Sequence, residues 1–415
     1  MERVGAEMTV SGLAATPVAN RVRISLFGRR NAGKSSLVNA LTGQEVAIVS
    51  DVPGTTTDPV SKTMEILPLG PCLVTDTAGL DDTGRLGEER VRRSFQVLDL
   101  TDIAIVAIPA DADPSAPEVE LVAKLKGKKL PYLVVRTKSD LPRRAGEEGT
   151  GDSADFNGPN VLYTSLDDPK SIVALRERLA SLAPADPPAP LVADLVSPGD
   201  IAVCVCPIDA SAPKGRLILP QQQVIRELIE NGAAALVCQP GELAGLIARI
   251  GNRNIRFVIT DSQAFAEVDA VTPKDIPLTS FSIVFARQKG DLAVLCEGAK
   301  ALKTLSDGDV VLVSEGCTHH RQCGDIGTVK LPAWIRKFTG KKIDFRFSSG
   351  GDFPLENEPK PKLVVHCGGC MLTRRAVMSR ITRCKEAGIP VVNYGVAIAL
   401  MHGIVAKSGS CMVNR

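Results

Sequence analysis

From Arg21 to about Ala183 the chain alternates short apolar runs with stretches of helical periodicity. RVRISLFG (21–28), CLVTD (72–76), IAIVAIP (103–109) and YLVVR (132–136) read as strands buried on both faces, because their apolar positions run on rather than alternating. Strands separated by helical stretches predict an open, doubly wound α/β sheet. The Gly- and Glu-rich stretch between Leu141 and Asn160 reads as a surface loop. VLYTS (161–165) then resumes the strand pattern, and KSIVALRERLASLA (170–183) has the period of a helix.

A second block follows a linker. Residues 184–200 hold five prolines, which disfavour helix and stiffen the chain. IAVCVCP (201–207), AAALVC (233–238) and RFVITD (256–261) are strand-like, and QQQVIRELIENG (221–232) and ELAGLIARIG (242–251) are helix-like. This small α/β unit, 201–275, contains no catalytic constellation and reads as a packing or oligomerisation module. A third α/β block spans 279–415. There DLAVLCEGAKALKTL (291–305) reads as a helix, and DVVLVSE (309–315) and KLVVH (362–366) as strands. MLTRRAVMSRITRCKEAG (371–388) reads as a long helix with a C-terminal glycine cap, and IPVVNYG (389–395) as a further strand. No internal repeat recurs at a fixed period.

Composition excludes several classes. With 49 Lys plus Arg against 47 Asp plus Glu, the net charge is +2, which argues against a nucleic-acid partner. Aromatics at 4% leave no base-stacking platform. No apolar run approaches the roughly 18 residues that span a bilayer, so no membrane association is expected. Residues 1–20 carry Glu2 and Glu7 without a continuous apolar segment, so they are expected to be a mobile tail rather than a secretory signal. Eleven cysteines in such a chain point to reduced thiols, some metal-bound, and a cytoplasmic setting.

The first chemistry is a phosphate loop. Gly28-Arg29-Arg30-Asn31-Ala32-Gly33-Lys34-Ser35 follows a strand and precedes the helical stretch Ser36–Leu41, the context that gives G-x-x-x-x-G-K-S its meaning. Gly28 and Gly33 let backbone N–H groups wrap phosphate, with Ala32 and Ser36 completing the cradle at the helix N-terminus. Lys34 supplies charge to the β- and γ-phosphates, and Ser35 a hydroxyl to Mg²⁺.

Asp76-Thr77-Ala78-Gly79 ends a strand 42 residues after Lys34. It offers an Asp to Mg²⁺ through water and a Gly79 N–H to the γ-phosphate. Pro53-Gly54-Thr55-Thr56-Thr57-Asp58 supplies hydroxyls for a switch loop, with Thr56 the candidate second Mg²⁺ ligand. Thr137-Lys138-Ser139-Asp140 follows a strand where small GTPases carry N-K-x-D. Asp140 can accept from guanine N1–H and N2–H₂, which adenine does not offer, and Lys138 can lie along the base. Ser165 sits where a backbone amide commonly meets guanine O6. GTP is therefore the expected nucleotide, with Thr137 the departure from pattern.

These segments resemble the translation-factor-related GTPases, and among them the cation-dependent group with the loop GRxNAGKSS and the switch G-T-T-x-D. That resemblance implies K⁺ at Asn31. Leu80 stands where Ras-like enzymes place a water-orienting Gln, so transition-state charge must come from another source, and a monovalent cation supplies it. Lys34, Asn31, Thr56 and Gly79 are the residues expected to carry hydrolysis.

The second chemistry is sulfur and imidazole. Of four histidines, His319 and His366 lie within two residues of a cysteine, in Cys317-Thr318-His319 and His366-Cys367-Gly368-Gly369-Cys370, and His320 lies three residues from Cys317 and from Cys323. Both halves follow apolar strands, whose ends can converge on one sheet edge, and Cys370 is expected to open a helix. Three cysteines and a histidine suit zinc or a [4Fe–4S] cluster. Cys72, Cys204, Cys206, Cys238, Cys296 and Cys384 fall in apolar patterns and read as small core residues. Cys323 and Cys411 stay open, and His402 reads as a packed or capping residue.

The whole arrangement closely resembles the HydF family of [FeFe]-hydrogenase maturation GTPases. The resemblance implies a GTPase domain over 21–183, a dimerisation domain over 201–275 and a cluster domain over 279–415. The last would carry a [4Fe–4S] cluster on Cys317, Cys367 and Cys370, with His319 near the fourth iron position and His366 behind it or alternative to it. It implies a homodimer that receives a diiron precursor from two radical-SAM maturases and passes it to the apo-[FeFe]-hydrogenase. The rival is a tRNA-modification GTPase of the same cation-dependent group with a structural zinc site, which leaves the C-x-H…H-C-x-x-C half unexplained. A redox or metal-storage protein with a vestigial nucleotide fold is the third reading; Lys34, Ser35 and Asp76 oppose it.

Overall fold

The structure is a computed structural model and describes residues 20–42, 60–67, 69–81, 91, 94–140, 154–182, 189–208, 217–316, 325–406 and 412–414. The expected tail, up to residue 19, and the Thr55–Thr56 switch lie outside the described residues. The chain divides into two compact units, Met1–Ala185 and Asp186–Arg415.

The first unit is built on six strands: β1 (Val22–Phe27), β2 (Val60–Ile66), β3 (Gly70–Asp76), β4 (Ile103–Pro109), β5 (Tyr132–Thr137) and β6 (Val161–Tyr163). Their order is β2-β3-β1-β4-β5-β6. β1, β3, β4, β5 and β6 pair in parallel. Successive residues of β4 and β5 are buried on both faces, as their unbroken apolar runs require. One face packs Ile24, Leu26, Ile105 and Val135 against Leu37 and Leu41 of the Lys34–Thr42 helix and Leu175 and Leu179 of the Pro169–Ser181 helix. The other packs Phe27, Val106 and Val134 against Leu121 and Leu125 of the Ala116–Gly127 helix. Each such side chain contributes about 1.5–3 kcal/mol on burial.

Two features of this unit depart from the sequence pattern. β2, which the apolar runs do not announce, pairs antiparallel with β3 at the sheet edge. Its residues Ser61, Thr63 and Glu65 are exposed, the polar half of an alternation an edge strand permits. The stretch expected as loop to Asn160 contains the short helix Ala154–Asn157, because Phe156 inserts into the core.

The second unit holds two four-stranded parallel sheets. The first comprises β7 (Ile201–Val205), β8 (Ala234–Cys238), β9 (Ile255–Thr260) and β10 (Leu278–Ser280), ordered β10-β9-β7-β8. It therefore extends across the 275–279 boundary drawn from sequence. The other comprises β11 (Val310–Glu315), β12 (Asp344–Ser349), β13 (Leu363–His366) and β14 (Val391–Asn393), ordered β12-β11-β13-β14. A short antiparallel pair, β15 (Val405–Ala406) and β16 (Val413–Asn414), follows.

The last part of the Pro-rich stretch is no free spacer. Leu191 and Val192 are buried, and the Glu227 carboxylate accepts from the Val192 and Ala193 N–H groups at 2.9 and 2.8 Å. The expected strand 389–395 is shorter than its apolar run: Asn393 accepts from the Val396 N–H at 2.9 Å and caps the helix Tyr394–Met401. Among the described residues no helix is long and apolar enough to cross a membrane.

Candidate functional site

The phosphate loop leaves β1 at Gly28, whose φ of +149° only glycine adopts at ease. A Cβ there would stand 2.2 Å from the Ala107 carbonyl oxygen of neighbouring β4. Gly33 (φ +84°) and the exposed Asn31 (φ +56°) complete the turn, and Ala32 is buried. Lys34 opens the helix, and its Nζ donates to Gly28 O at 3.0 Å and Arg29 O at 2.8 Å. Ser36 follows in the same first turn.

Ser35 Oγ donates to Asp76 Oδ2 at 2.5 Å, joining loop and β3 end. The other carboxylate oxygen, Asp76 Oδ1, is buried without a hydrogen-bond partner. A buried anionic oxygen with no donor is unfavourable unless a cation or its water meets it, so the Ser35–Asp76 pair fits Mg²⁺. Burial pushes the Asp76 carboxyl up, opposed by the Ser35 hydroxyl and the Lys34 charge. Gly79 comes close to the loop: a Cβ there would lie 3.0 Å from the Arg30 N and 2.8 Å from Asp81 Oδ1. The Leu80 N–H donates to Gly28 O at 3.2 Å, and Asp81 accepts from the Arg30 N–H at 2.7 Å. The Asp76–Gly79 segment is thus wired directly to the phosphate loop.

The base-side residues also converge. Thr137 is buried and donates from Oγ1 to Ala32 O at 2.7 Å, tying β5 to the phosphate loop. Asp140 is exposed and accepts from Ser165 Oγ at 2.7 Å. Lys138, at φ +57°, is exposed beside them. The Ser165 N–H donates to Ser171 Oγ at 3.2 Å, so its hydroxyl, rather than its amide, addresses Asp140.

Sequence reasoning passed over a further pair. Glu118 is fully buried and accepts from Arg29 three times: from the N–H at 3.3 Å, Nε at 3.2 Å and a terminal guanidinium nitrogen at 3.0 Å. It also accepts from the Ser115 N–H at 2.7 Å. The signal was present, since Ser115-x-x-Glu118 is a capping-box pattern, but nothing in it pointed to Arg29.

In the second unit, β11 and β13 are adjacent and parallel, with Ser314 opposite His366, so their C-terminal ends share one edge. The Gly316 N–H donates to Cys367 Sγ at 3.1 Å, and the Cys367 N–H to Ser314 O at 2.9 Å. Cys317 is the next residue after Gly316 but, like His319 and His320, lies outside the described residues. Among the described residues no three His, Cys, Asp or Glu side chains gather as a metal site. Cys370 does not open the following helix: Thr373 caps it, accepting from Ala376 N–H at 3.3 Å, and the helix runs Arg374–Glu386. Gly369 (φ +67°) turns the chain first, leaving Cys370 in the preceding turn.

His366 is buried with both ring nitrogens engaged. Arg380 donates to Nε2 at 2.9 Å, so Nδ1 carries the proton and donates to Cys367 O at 2.7 Å. Burial, reinforced by the Arg380 guanidinium, pushes His366 down to about 3. The ring is thus a neutral group packed behind Cys367, with both nitrogens hydrogen-bonded in this structure. Burial pushes the Cys367 and Cys370 thiols up; N–H groups of Gly316 and Gly369 oppose this at Cys367, and the Lys289 charge opposes it at Cys370. Cys72, Cys204, Cys206 and Cys384 are buried, matching their core reading.

Comparison with known proteins divides the chain similarly. Residues 23–138 match the family described as 50S ribosome-binding GTPase. Residues 191–290 match the hydrogen maturase F dimerization domain, and residues 293–411 its tetramerization domain. The tRNA modification GTPase MnmE of Methylorubrum populi is 42% identical over 127 residues, 30% of this chain and 27% of that protein. MnmE of Nitrosomonas europaea is 34% identical over 166 residues, 39% of this chain and 35% of that protein. The chain thus spans about a third or less of the length of these curated relatives. Among solved structures, Era in complex with MgGDPNP and 16S ribosomal RNA nucleotides aligns with a TM-score of 0.34 at 17% identity, over 55% of this chain and 97% of Era.

Proposed function

This chain belongs to the HydF family of hydrogenase maturation GTPases, and from that membership we propose that it is a GTP-hydrolysing carrier in [FeFe]-hydrogenase assembly. Its N-terminal P-loop GTPase domain supports GTP and Mg²⁺ binding and GTP hydrolysis. The loop amides between Gly28 and Gly33 and the Lys34 ammonium bind the phosphates, while Ser35 and Asp76 hold Mg²⁺. Thr56 would add its hydroxyl and Gly79 its N–H at the γ-phosphate end, so these segments order or release with nucleotide state. Asn31 would hold K⁺, supplying charge in place of a Gln at Leu80. Asp140, with Lys138 and Ser165, reads guanine, and Thr137 keeps that segment locked to the phosphate loop.

In the second unit Cys317, Cys367 and Cys370 would hold a [4Fe–4S] cluster, with His319 near its fourth position. When bound, the cluster supplies an iron with one exchangeable position. The chain's residues hold and shield it: Gly316 donates to the Cys367 sulfur, and His366 and Arg380 brace the strand behind. The cargo is a diiron precursor, received from two radical-SAM maturases and released to apo-[FeFe]-hydrogenase. The dimerization and tetramerization matches suggest oligomerisation, and a homodimer through residues 191–290 is the proposed minimum.

The observation that carries the reading is the Gly316–Cys367 hydrogen bond. It joins the two chain segments bearing the C-x-H and H-C-x-x-C halves in a chain that also carries a phosphate loop. The tRNA-modification alternative is not favoured, since residues 191–411 match hydrogen maturase descriptions almost throughout. The test is hydrogenase activation: full-length protein prepared anaerobically alongside both maturases is mixed with apo-hydrogenase. Wild type should activate it and Cys367→Ser should not. A wild-type protein that holds one zinc and activates nothing overturns the proposal.

A further inference from the structure

The Phe281–Lys289 helix leaves β10 of the first sheet of the second unit, and its final residue reaches the cysteine turn beside the other. Ser280 caps its start, accepting from the Ile283 N–H at 3.3 Å. Ser282 Oγ receives the Gly395 N–H at 3.2 Å and Asn393 Nδ2 at 3.1 Å. At the far end, Arg374 donates back to Gln288 O at 2.6 Å. The helix is therefore fixed at both ends against the elements that frame the C-x-x-C turn.

Lys289 is buried, with 4% of its surface exposed. Its Nζ donates to Leu372 O at 2.8 Å, Cys370 O at 3.0 Å and Gly369 O at 3.3 Å. An ammonium carries three N–H donors, and burying one costs heavily unless such partners are present. Three carbonyls of one short turn supply them.

The peptide plane gives this arrangement a consequence. In a trans peptide the C=O and the following N–H point in opposite directions. Drawing the Gly369 and Cys370 carbonyls to Lys289 turns the Cys370 and Met371 N–H groups the other way, so the ammonium fixes the orientation of both peptide planes. The same ammonium lies 3.0 Å from the Cys370 carbonyl oxygen and so places a positive charge beside that residue. A turn that needed only rigidity could use a neutral donor; a site for a thiolate-bound anionic cluster gains from the charge.

We propose that Lys289 is the positioning residue of the C-x-x-C turn: it clamps the Gly369, Cys370 and Leu372 carbonyls in one geometry and offsets the negative charge of the cluster. The second part rests on the iron–sulfur reading given above. It also links the dimerization segment, which contains Lys289, to the cluster segment by a direct contact.

The test uses full-length wild type, Lys289→Met and Lys289→Arg. Amide exchange of the metal-free proteins examines the clamp alone: residues 369–372 should exchange at least tenfold faster in Lys289→Met than in wild type. Equal rates overturn the clamp. After anaerobic reconstitution with ferrous iron and sulfide, a redox titration followed by EPR examines the charge. A unit charge within about 12 Å at an effective dielectric near 20 changes such an equilibrium roughly tenfold. Lys289→Met should therefore shift the reduction equilibrium about tenfold toward the oxidised form, about 59 mV for one electron, and Lys289→Arg should return it toward wild type. An unchanged potential in Lys289→Met overturns the charge role. If Lys289→Met assembles no cluster, Lys289→Arg decides: a cluster at the wild-type potential supports the inference, and none overturns it. A wild type that takes up no iron and sulfide sinks the iron–sulfur reading, while the exchange arm still decides the clamp.

Discussion

Replacing Glu118 by Gln probes the phosphate loop through a residue that would touch no nucleotide. The native carboxylate is fully buried and receives the Arg29 N–H, two guanidinium nitrogens and the Ser115 N–H. Gln keeps the shape but replaces one acceptor oxygen by an NH₂ group, which faces Arg29 whichever oxygen it replaces, donor against donor. Breaking a buried charge pair by removing one partner costs about 3–5 kcal/mol. Arg29 keeps 24% of its side-chain surface exposed and so recovers part of its solvation, which lowers the expectation to about 2–3 kcal/mol. Part of that loss appears as urea sensitivity of the N-terminal unit. The rest appears as a loop no longer preorganised, and we expect GTP to bind about tenfold more weakly, 1.4 kcal/mol. Urea unfolding followed by a probe in the first unit, and titration with a non-hydrolysable GTP analogue, measure the two parts. If both the unfolding midpoint and the nucleotide affinity stay at wild-type values, the latch is ornamental and the reasoning fails.

Lys34→Ala should abolish GTP turnover and leave iron and sulfide content untouched, while Cys367→Ser should do the reverse; loss of both properties in either variant contradicts two separable modules. Gly28→Ala should leave no measurable nucleotide binding, because its Cβ would meet the Ala107 carbonyl at 2.2 Å; retained affinity in an equilibrium titration would show that β4 yields. Thr137→Val removes the donor to Ala32 O and leaves a buried carbonyl short of a partner, so thermal unfolding of the N-terminal unit should register a loss of about 1–3 kcal/mol. Exchanging K⁺ for Na⁺ should slow hydrolysis at saturating GTP, and identical rates in both salts would remove the role proposed for Asn31.

Much of the first unit was legible because buried parallel strands write themselves as unbroken apolar runs. β4 and β5 begin at or next to where IAIVAIP and YLVVR do. What escaped lacked that signature. β2 is an edge strand with polar residues outward, and the Ala154–Asn157 helix rests on one buried aromatic, Phe156, within a Gly-rich stretch. The turn from β1 into the Lys34–Thr42 helix was legible because its glycines answer local backbone demands. Glu118 and Lys289 were not, since each acts on a loop distant in sequence. Thr137, a departure from pattern in the sequence, keeps a structural task through its hydroxyl. The helix start misjudged at Cys370 is set by Thr373, a cap no more conspicuous in sequence than its neighbours. His366 stood beside a cysteine as a possible ligand, and only its packing against Arg380 shows both nitrogens committed.

The most direct measurement is the iron and acid-labile sulfide content of the full-length chain prepared without oxygen, together with its EPR spectrum on reduction. Four irons and four sulfides per chain, with a signal from a reduced cube that disappears in Cys367→Ser, is the expected result. A colourless protein that hydrolyses GTP normally and retains neither iron nor sulfide after reconstitution would contradict the account.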